Sequence, residues 1–316
     1  MPQQDPPAGA RLLMVEPDLA GQRIDNFLAR VLKGVPRGHI YRILRRGEVR
    51  VNRGRIRPGY RMQAGDLVRI PPLRTPAPLP PALPPQALFE RLQAALLMEQ
   101  DDLLVLDKPA GLAVHGGSGL SWGLIEALRA LRPQARHLEL VHRLDRETSG
   151  CLLVAKNRAA LKQLAAAFRG GAVRKRYLAL TSGRWQEGAR TVVAPLSRFV
   201  SRGGERVVQV SRGGRESATR FEPLERYRDF TLVAAVPLTG RTHQIRVHAV
   251  HAGHALAGDS RYGDPTLNRS LAGVGLKRLF LHAQQLEVEL DGREIAVEAP
   301  LPPELRAVLE RLERQE

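Results

Sequence analysis

One polar run in the 316-residue chain has the residue types to do chemistry. It is His142-Arg-Leu-Asp-Arg-Glu-Thr-Ser-Gly150, set between the apolar turn Leu138 to Val141 and an apolar stretch opening at Cys151. A charged loop at a strand end is a usual place for function, because a rigid scaffold there presents side chains to solvent. Asp145 stands between Arg143 and Arg146. Neighbouring guanidinium groups favour the charged form of a carboxylate, which can then act as nucleophile or base. On spacing alone, a structural ion-pair loop accounts for the run better, since acids and bases adjoin in many turns.

The rest of the composition says what such a carboxylate would meet. Lys and Arg number 49 against 32 Asp and Glu, a net charge of +17. That excess attracts polyanions, and nucleic acid is the leading partner. The single cysteine excludes an intrachain disulfide framework and fits a reducing, cytoplasmic setting; Cys151 itself reads as core. No apolar stretch approaches the roughly 20 residues of a membrane helix, and the first 20 residues lack the order of a signal peptide. An apolar content of 43% supports a small domain beside a larger one.

The elements that must position the loop follow from periodicity. Residues 1–20 read as a flexible tail. Within 21–70, Ile24, Phe27, Leu28, Val31 and Leu32 recur at helical spacing, and Ile40, Ile43 and Leu44 mark a second helix after Pro36. Val49 to Val51 and Leu67 to Ile70 read as short strands between turns. Residues 21–74 hold fourteen Lys and Arg against three acids, including Arg42, Arg45, Arg46, Arg50 and Arg53. A solvated face would explain them, but so strong an imbalance on so small a module favours phosphate binding. The segment 71–88 is a proline-rich linker, with eight prolines in residues 71–85.

Beyond it, residues 89–316 form the larger domain. Leu103 to Leu106, Cys151 to Ala155, Tyr177 to Leu180 and Phe230 to Ala235 read as strands. Trp122 to Leu131, Leu161 to Phe168, Thr242 to His251 and Pro303 to Arg314 read as helices. The irregular order and the turns at Arg202-Gly-Gly204 and Arg212-Gly-Gly214 predict an α+β fold with a mixed, largely antiparallel sheet flanked by helices. Other chemical signals weaken on inspection. His248, His251 and His254 suit one helix edge and lack the Cys or paired carboxylates of a metal site, so no metal is expected. Gly116-Gly-Ser-Gly119 lacks the Lys-Ser/Thr ending of a nucleotide-binding loop; a tight turn or close approach of RNA fits it better. Lys108 reads equally as a catalyst, a phosphate contact or a structural strand-end lysine, and Tyr177 by itself reads as a core tyrosine.

The run at 142–150 resembles the signature of the pseudouridine synthases that modify ribosomal and transfer RNA. The resemblance extends to Asp107-Lys-Pro-Ala-Gly111, Lys175-Arg-Tyr177, Gly240-Arg-Thr-His-Gln-Ile-Arg246 and Leu281-His-Ala283. The module at 21–70 resembles the S4 RNA-binding domain. Gly34-Val-Pro36, Ile40 to Leu44 and His115 to Leu120 are most similar to members acting on 23S, large-subunit ribosomal RNA. The resemblance implies a pseudouridine synthase catalytic domain after an S4-like domain. It makes Asp145 the catalytic aspartate, Arg246 its partner, Tyr177 the ring that stacks on the target base and Arg143 the wedge that fills the gap. His142, Arg241 and Leu281 would help hold the RNA, along with the arginines of the basic module. It implies 23S ribosomal RNA or its assembly precursor as partner and no cofactor; the hydropathy gives no membrane span, and a monomer is the expectation for an oligomeric state that the sequence does not fix. A non-catalytic RNA-binding or ribosome-assembly protein is the rival reading, against which the intact Asp145, Tyr177 and Arg246 argue.

Overall fold

The computed structural model describes residues 9–32, 35–73, 84–116, 122–186, 188–200 and 206–313. The chain divides into two compact units, one ending at Ala82 and the other beginning at Leu83. The first contains β1 (Arg11–Met14), α1 (Ile24–Val31), α2 (Arg37–Arg46), β2 (Arg50–Val51), β3 (Gly54–Arg55) and β4 (Leu67–Ile70). Its strands form an antiparallel sheet in the order β1-β4-β2-β3. Ile24, Phe27 and Leu28 on α1 and Ile40, Ile43 and Leu44 on α2 turn apolar stripes onto Val51, Val68 and Ile70. Arg42, Arg45 and Arg46 are exposed on α2, and Arg50 and Arg53 are exposed on the β2–β3 hairpin. Asn52 and Arg53 have φ of 49° and 67°, the two left-handed positions of a tight two-residue hairpin turn.

The tail expected over residues 1–20 is shorter in the structure. Arg11 to Met14 pair with β4, and Val15 is buried in the core of the unit. The stretch escapes a periodicity reading because Leu12 and Met14 stay exposed. The spacer expected over 71–88 ends early as well, since α3 (Gln86–Ala94) starts directly after Pro85. Residues 1–8, 33–34 and 74–83, the central glycines of the 116–119 loop and the turn at 202–204 lie outside the described residues.

The second unit continues with β5 (Leu96–Glu99), β6 (Leu103–Lys108), α4 (Leu124–Leu131), β7 (Glu139–Leu140), β8 (Ser149–Ala155), α5 (Arg158–Gly170) and β9 (Arg174–Ser182). After these come β10 (Arg190–Val193), β11 (Leu196–Val200), β12 (Arg206–Val210), β13 (Ala218–Arg226), β14 (Phe230–Pro237) and α6 (Gln244–His251). The chain closes through α7 (Pro265–Gly273), β15 (Leu281–Leu290), β16 (Arg293–Glu298) and α8 (Pro303–Arg311). The main sheet runs β10-β13-β14-β9-β15-β8-β6-β5, with β16 beside β15 and β7 beside β8. Among the described residues every pairing is antiparallel except β15 with β8. β11 and β12 form a separate hairpin.

Side-chain alternation explains how this sheet is covered. Leu152 and Val154 of β8 pack with α4, while Cys151, Leu153 and Ala155 pack with α5 and the β15–β16 ribbon. Farther along, Ala179, Val233 and Ala235 meet α6, and Leu180 and Leu232 meet α7 and α8. The parallel pair needs the closest approach. Gly150 has φ of 110° and a Cβ there would lie 2.2 Å from the Ala283 carbonyl oxygen. Only glycine allows that conformation and that spacing together. Gly150→Ala is therefore expected to destabilise the second unit by about 3 kcal/mol, measurable as an earlier midpoint in its urea unfolding.

Candidate active site

The parallel register places His282 opposite Ser149 and Ala283 opposite Gly150, and on the other edge of β15 Ala283 pairs with Tyr177. The loop ahead of β8, the middle of β9 and the start of β15 therefore converge. The loop between β14 and α6 completes a cleft of about 590 Å³ there. Asp145, Tyr177, Arg246, Arg143, His142, Arg241 and Leu281, the seven candidates on this unit, all line it. Arg42, Arg45, Arg46, Arg50 and Arg53 belong to the first unit.

Asp145 is held from behind. Lys108 is fully buried, and its Nζ donates to the carbonyls of Pro109 and Leu112, both at 2.9 Å, and of Arg146 at 3.1 Å. The Gly111 N–H also donates to the Arg146 carbonyl at 2.8 Å, and Arg146 Nε donates to the Gly111 carbonyl at 2.9 Å. Burial pulls the Lys108 ammonium down to about 7, against the nearby carboxylates of Glu147 and Asp145, which favour its charge. Three converging carbonyl oxygens match the three donors of an ammonium, whereas a neutral amine would leave one unmet. This assigns Lys108 to positioning the loop.

In front, Asp145 Oδ2 lies 3.7 Å from Arg246 Nη1 and 3.7 Å from His243 Nε2. Both separations permit attraction and are too long for a hydrogen bond, so the carboxylate oxygens remain available to a substrate. The principal partner of Arg246 is a different acid. Its Nε and Nη2 donate to Asp259 Oδ2 and Oδ1, each at 2.7 Å, and Asp259 is 1% exposed. The N–H groups of Arg261 and Tyr262 also donate to Asp259. Hydrogen bonds from Arg246 keep the Asp259 carboxyl below the usual carboxylate range despite burial. The guanidinium lies over the Tyr262 ring, 4.9 Å from its centroid, leaving Nη1 aimed at Asp145.

Sequence reasoning missed Asp259, His243 and Tyr262 as parts of this site. His243 precedes α6 with φ of 54°, an uncommon conformation for a residue with a side chain. The ring is thereby brought 2.7 Å from the Tyr262 hydroxyl and toward Asp145. Burial lowers its pKa while Asp145 opposes the shift. The expected helix over 242–251 therefore starts two residues later. Tyr177 is only partly exposed, and burial followed by the charge of Asp145 keeps its phenol protonated. His142 is committed to the fold: one ring nitrogen accepts from the Leu153 N–H at 3.0 Å and the ring stacks on Phe168. Burial, with Lys175 adding, pulls it down to about 3. Arg143 and Arg241 are exposed along the cleft, and Leu281 is buried in its wall. The histidines at 248 and 254 are divided between separate contacts, the first with Ser217 and Thr219 and the second with the Ser182 carbonyl.

Comparison with known proteins supplies the family. Residues 102–251 match the RNA pseudouridylate synthase family and residues 22–68 match the S4 domain. Across 96% of its length the chain is 53% identical to the ribosomal large subunit pseudouridine synthase C of Escherichia coli (strain K12), covering 96% of that protein. It belongs to the RNA pseudouridine synthase family. The synthase of the same name from Pasteurella multocida (strain Pm70) is 52% identical, with 96% of this chain and 94% of that protein covered. Among solved structures, human RNA pseudouridylate synthase domain containing 4 superimposes with a TM-score of 0.61 at 28% identity, covering 73% of this chain and 98% of that one. No helix among the described residues of the synthase is long and apolar enough to cross a membrane.

Two predictions test how the site is held. Lys108→Met strands three carbonyls and should remove about 3 kcal/mol of stability. It should also lower kcat by about 100-fold through a shifted Asp145, as read by thermal unfolding and turnover, and the bulkier Lys108→Arg should not restore either. Asp107, on β6 beside this loop, is raised by burial to about 6. Its charged form thus weakens the fold as pH rises between about 4 and 6. Asp107→Asn should stabilise the protein by about 1 kcal/mol at pH 7, an advantage that melting curves at pH 4 should no longer show.

Proposed function

We propose that the chain converts uridines of large-subunit ribosomal RNA to pseudouridine, with Asp145 as the reacting carboxylate. The observation that carries this reading is a single carboxylate set between Arg246 and His243, in a cleft that also holds the Tyr177 ring. The reaction breaks the bond from ribose C1′ to uracil N1, turns the base and rejoins it through C5. No atom and no electron leaves the substrate. A carboxylate close to C1′ can stabilise or capture the positive charge that grows on the sugar as this bond breaks. The same carboxylate could instead take the C2′ proton and give a glycal; both routes place it against the ribose.

A stacked uridine must first leave the helix, at an expense of a few kcal/mol. Tyr177 can recover roughly 1–3 kcal/mol of this by stacking on the extruded base. Arg143, exposed beside the cleft, can fill the vacated position with its planar guanidinium. Buried Leu281 forms part of the cleft wall, and a bound RNA that covers the opening would exclude the water that otherwise lets the detached uracil escape. The exposed arginines of the S4 unit add affinity for phosphates without reading sequence. The names of the relatives support ribosomal large-subunit RNA as the substrate.

Asp145→Asn keeps the shape and removes the charge. It should abolish pseudouridine formation in a large-subunit ribosomal RNA transcript while changing its Kd less than threefold. Turnover by a folded Asp145→Asn protein would refute the mechanism. Unchanged pseudouridines in ribosomal RNA from cells lacking the gene would instead favour a non-catalytic binding protein.

A further inference from the structure

A second cavity of about 440 Å³ opens beside the first, and Arg198, Gly240, Arg241 and Thr242 line both. Arg215 lines the second and not the first, and among the described residues no acidic residue lines it. Its three arginines come from three segments: β11, the turn before β13 and the loop before α6. Each is tied to a neighbouring segment. Arg215 and Leu196 exchange both backbone hydrogen bonds at 2.9 Å, Arg198 Nη2 donates to the Thr242 hydroxyl, and Arg241 Nε donates to the Glu216 carbonyl at 3.3 Å. Gly214 is required for the first of these ties, because a Cβ there would lie 2.7 Å from Leu196 backbone atoms.

The tethers fix the hairpin, the turn and the loop against one another, and three exposed arginines line the one space between them. Like charges repel, and the established contacts among these segments do not supply a carboxylate to balance them at this cavity. A small anion with several acceptor oxygens suits such a lining, because a guanidinium fork matches it bidentately. Because two of the three arginines also border the reaction cleft, an anion attached to the occupant of the cleft would reach this cavity. In a polynucleotide it is a phosphodiester next to the extruded nucleoside.

We propose that Arg198, Arg215 and Arg241 form a phosphate subsite that holds a backbone phosphate adjoining the target uridine and so fixes the nucleotide in its turned-out position. The subsite rests on the reading that the cleft takes a uridine of RNA. Its role is distinct from the diffuse attraction of the basic first unit, since it acts on one phosphate at one register.

The test is a double-mutant cycle on Kd, using the Asp145→Asn protein so that binding is read whether or not the RNA is turned over. The ligands are large-subunit ribosomal RNA fragments carrying one neutral methylphosphonate at each phosphate flanking the target uridine in turn. One methylphosphonate should weaken binding about tenfold, and Arg215→Gln should weaken binding of unmodified RNA by a similar factor. Combined, the two should give little further loss, because each removes the same contact. The salt slope of log K should also fall by about 0.7 with Arg215→Gln. As a second variant, Gly213→Asp places a carboxylate in the cavity where a Cβ meets no protein atom, and it should weaken binding more than Arg215→Gln while melting normally. Additive losses at every position, or an unchanged Kd and salt slope in folded Arg215→Gln, would overturn the subsite. Failure of the uridine reading would show separately, as absent turnover by the unaltered enzyme.

Discussion

The guanidinium of Arg246 is the group on which the site depends. Its fork is filled by Asp259 through Nε and Nη2, which leaves Nη1 directed at Asp145 from 3.7 Å. The division of donors matters. A guanidinium bound bidentately to Asp145 would occupy the carboxylate's lone pairs, and one without Asp259 would be a buried charge free to turn toward Asp145. Removing one member of such a buried pair typically destabilises by 3–5 kcal/mol, so the fold and the electrostatics of the cleft rest on the same contact. Tyr262 adds a third restraint, placing its ring under the guanidinium and its hydroxyl against His243.

The backbone has to deliver Asp145 to that guanidinium from a distant stretch of chain. It does so through the parallel pairing of β8 with β15, which Gly150 permits by lacking a side chain. Lys108 then ties the turn containing Asp145 to the end of β6. Strand ends are suited to this work: their backbone is fixed by the ladder on one side and open to side-chain and loop contacts on the other. The polar residues that surround the loop are accordingly split into two groups. Lys108, His142 and Asp259 are committed to holding backbone or side chains, while Asp145, Arg143 and Tyr177 face the cleft.

Much of this was legible in the sequence, for identifiable reasons. β8 is buried on both faces, so Cys151 to Ala155 reads as an unbroken apolar run. α1 and α2 carry clean apolar stripes, and Asp145 and Arg246 sit in motifs whose resemblance identifies them. β15 was not read, although Leu286, Val288 and Leu290 alternate with Glu287 and Glu289. The buried His282 and the register shift between Ala283 and Gln285 interrupt the period at the end that matters. Asp259 gives no local signal, because its partner is thirteen residues away on a helix it does not belong to. The left-handed backbone of His243 is a tertiary effect and looks, in sequence, like the first turn of a helix.

A protein of net charge +17 that keeps the Asp145 carboxylate open to its cleft faces opposing demands. The field must draw in a polyanion, yet cations crowded onto Asp145 would bind its oxygens. The structure separates the two by burial. Inside, the Arg246 charge is balanced locally by Asp259, and burial favours the neutral form of His243. Outside, Arg143, Arg198, Arg215 and Arg241 are exposed along the two cavities, where they can meet phosphates without competing for Asp145. Salt screens exposed charges far more than buried ones. Raising the ionic strength should thus weaken the capture of RNA well before it disturbs the geometry around Asp145, because the exposed arginines and the buried Arg246 lie in different dielectric surroundings.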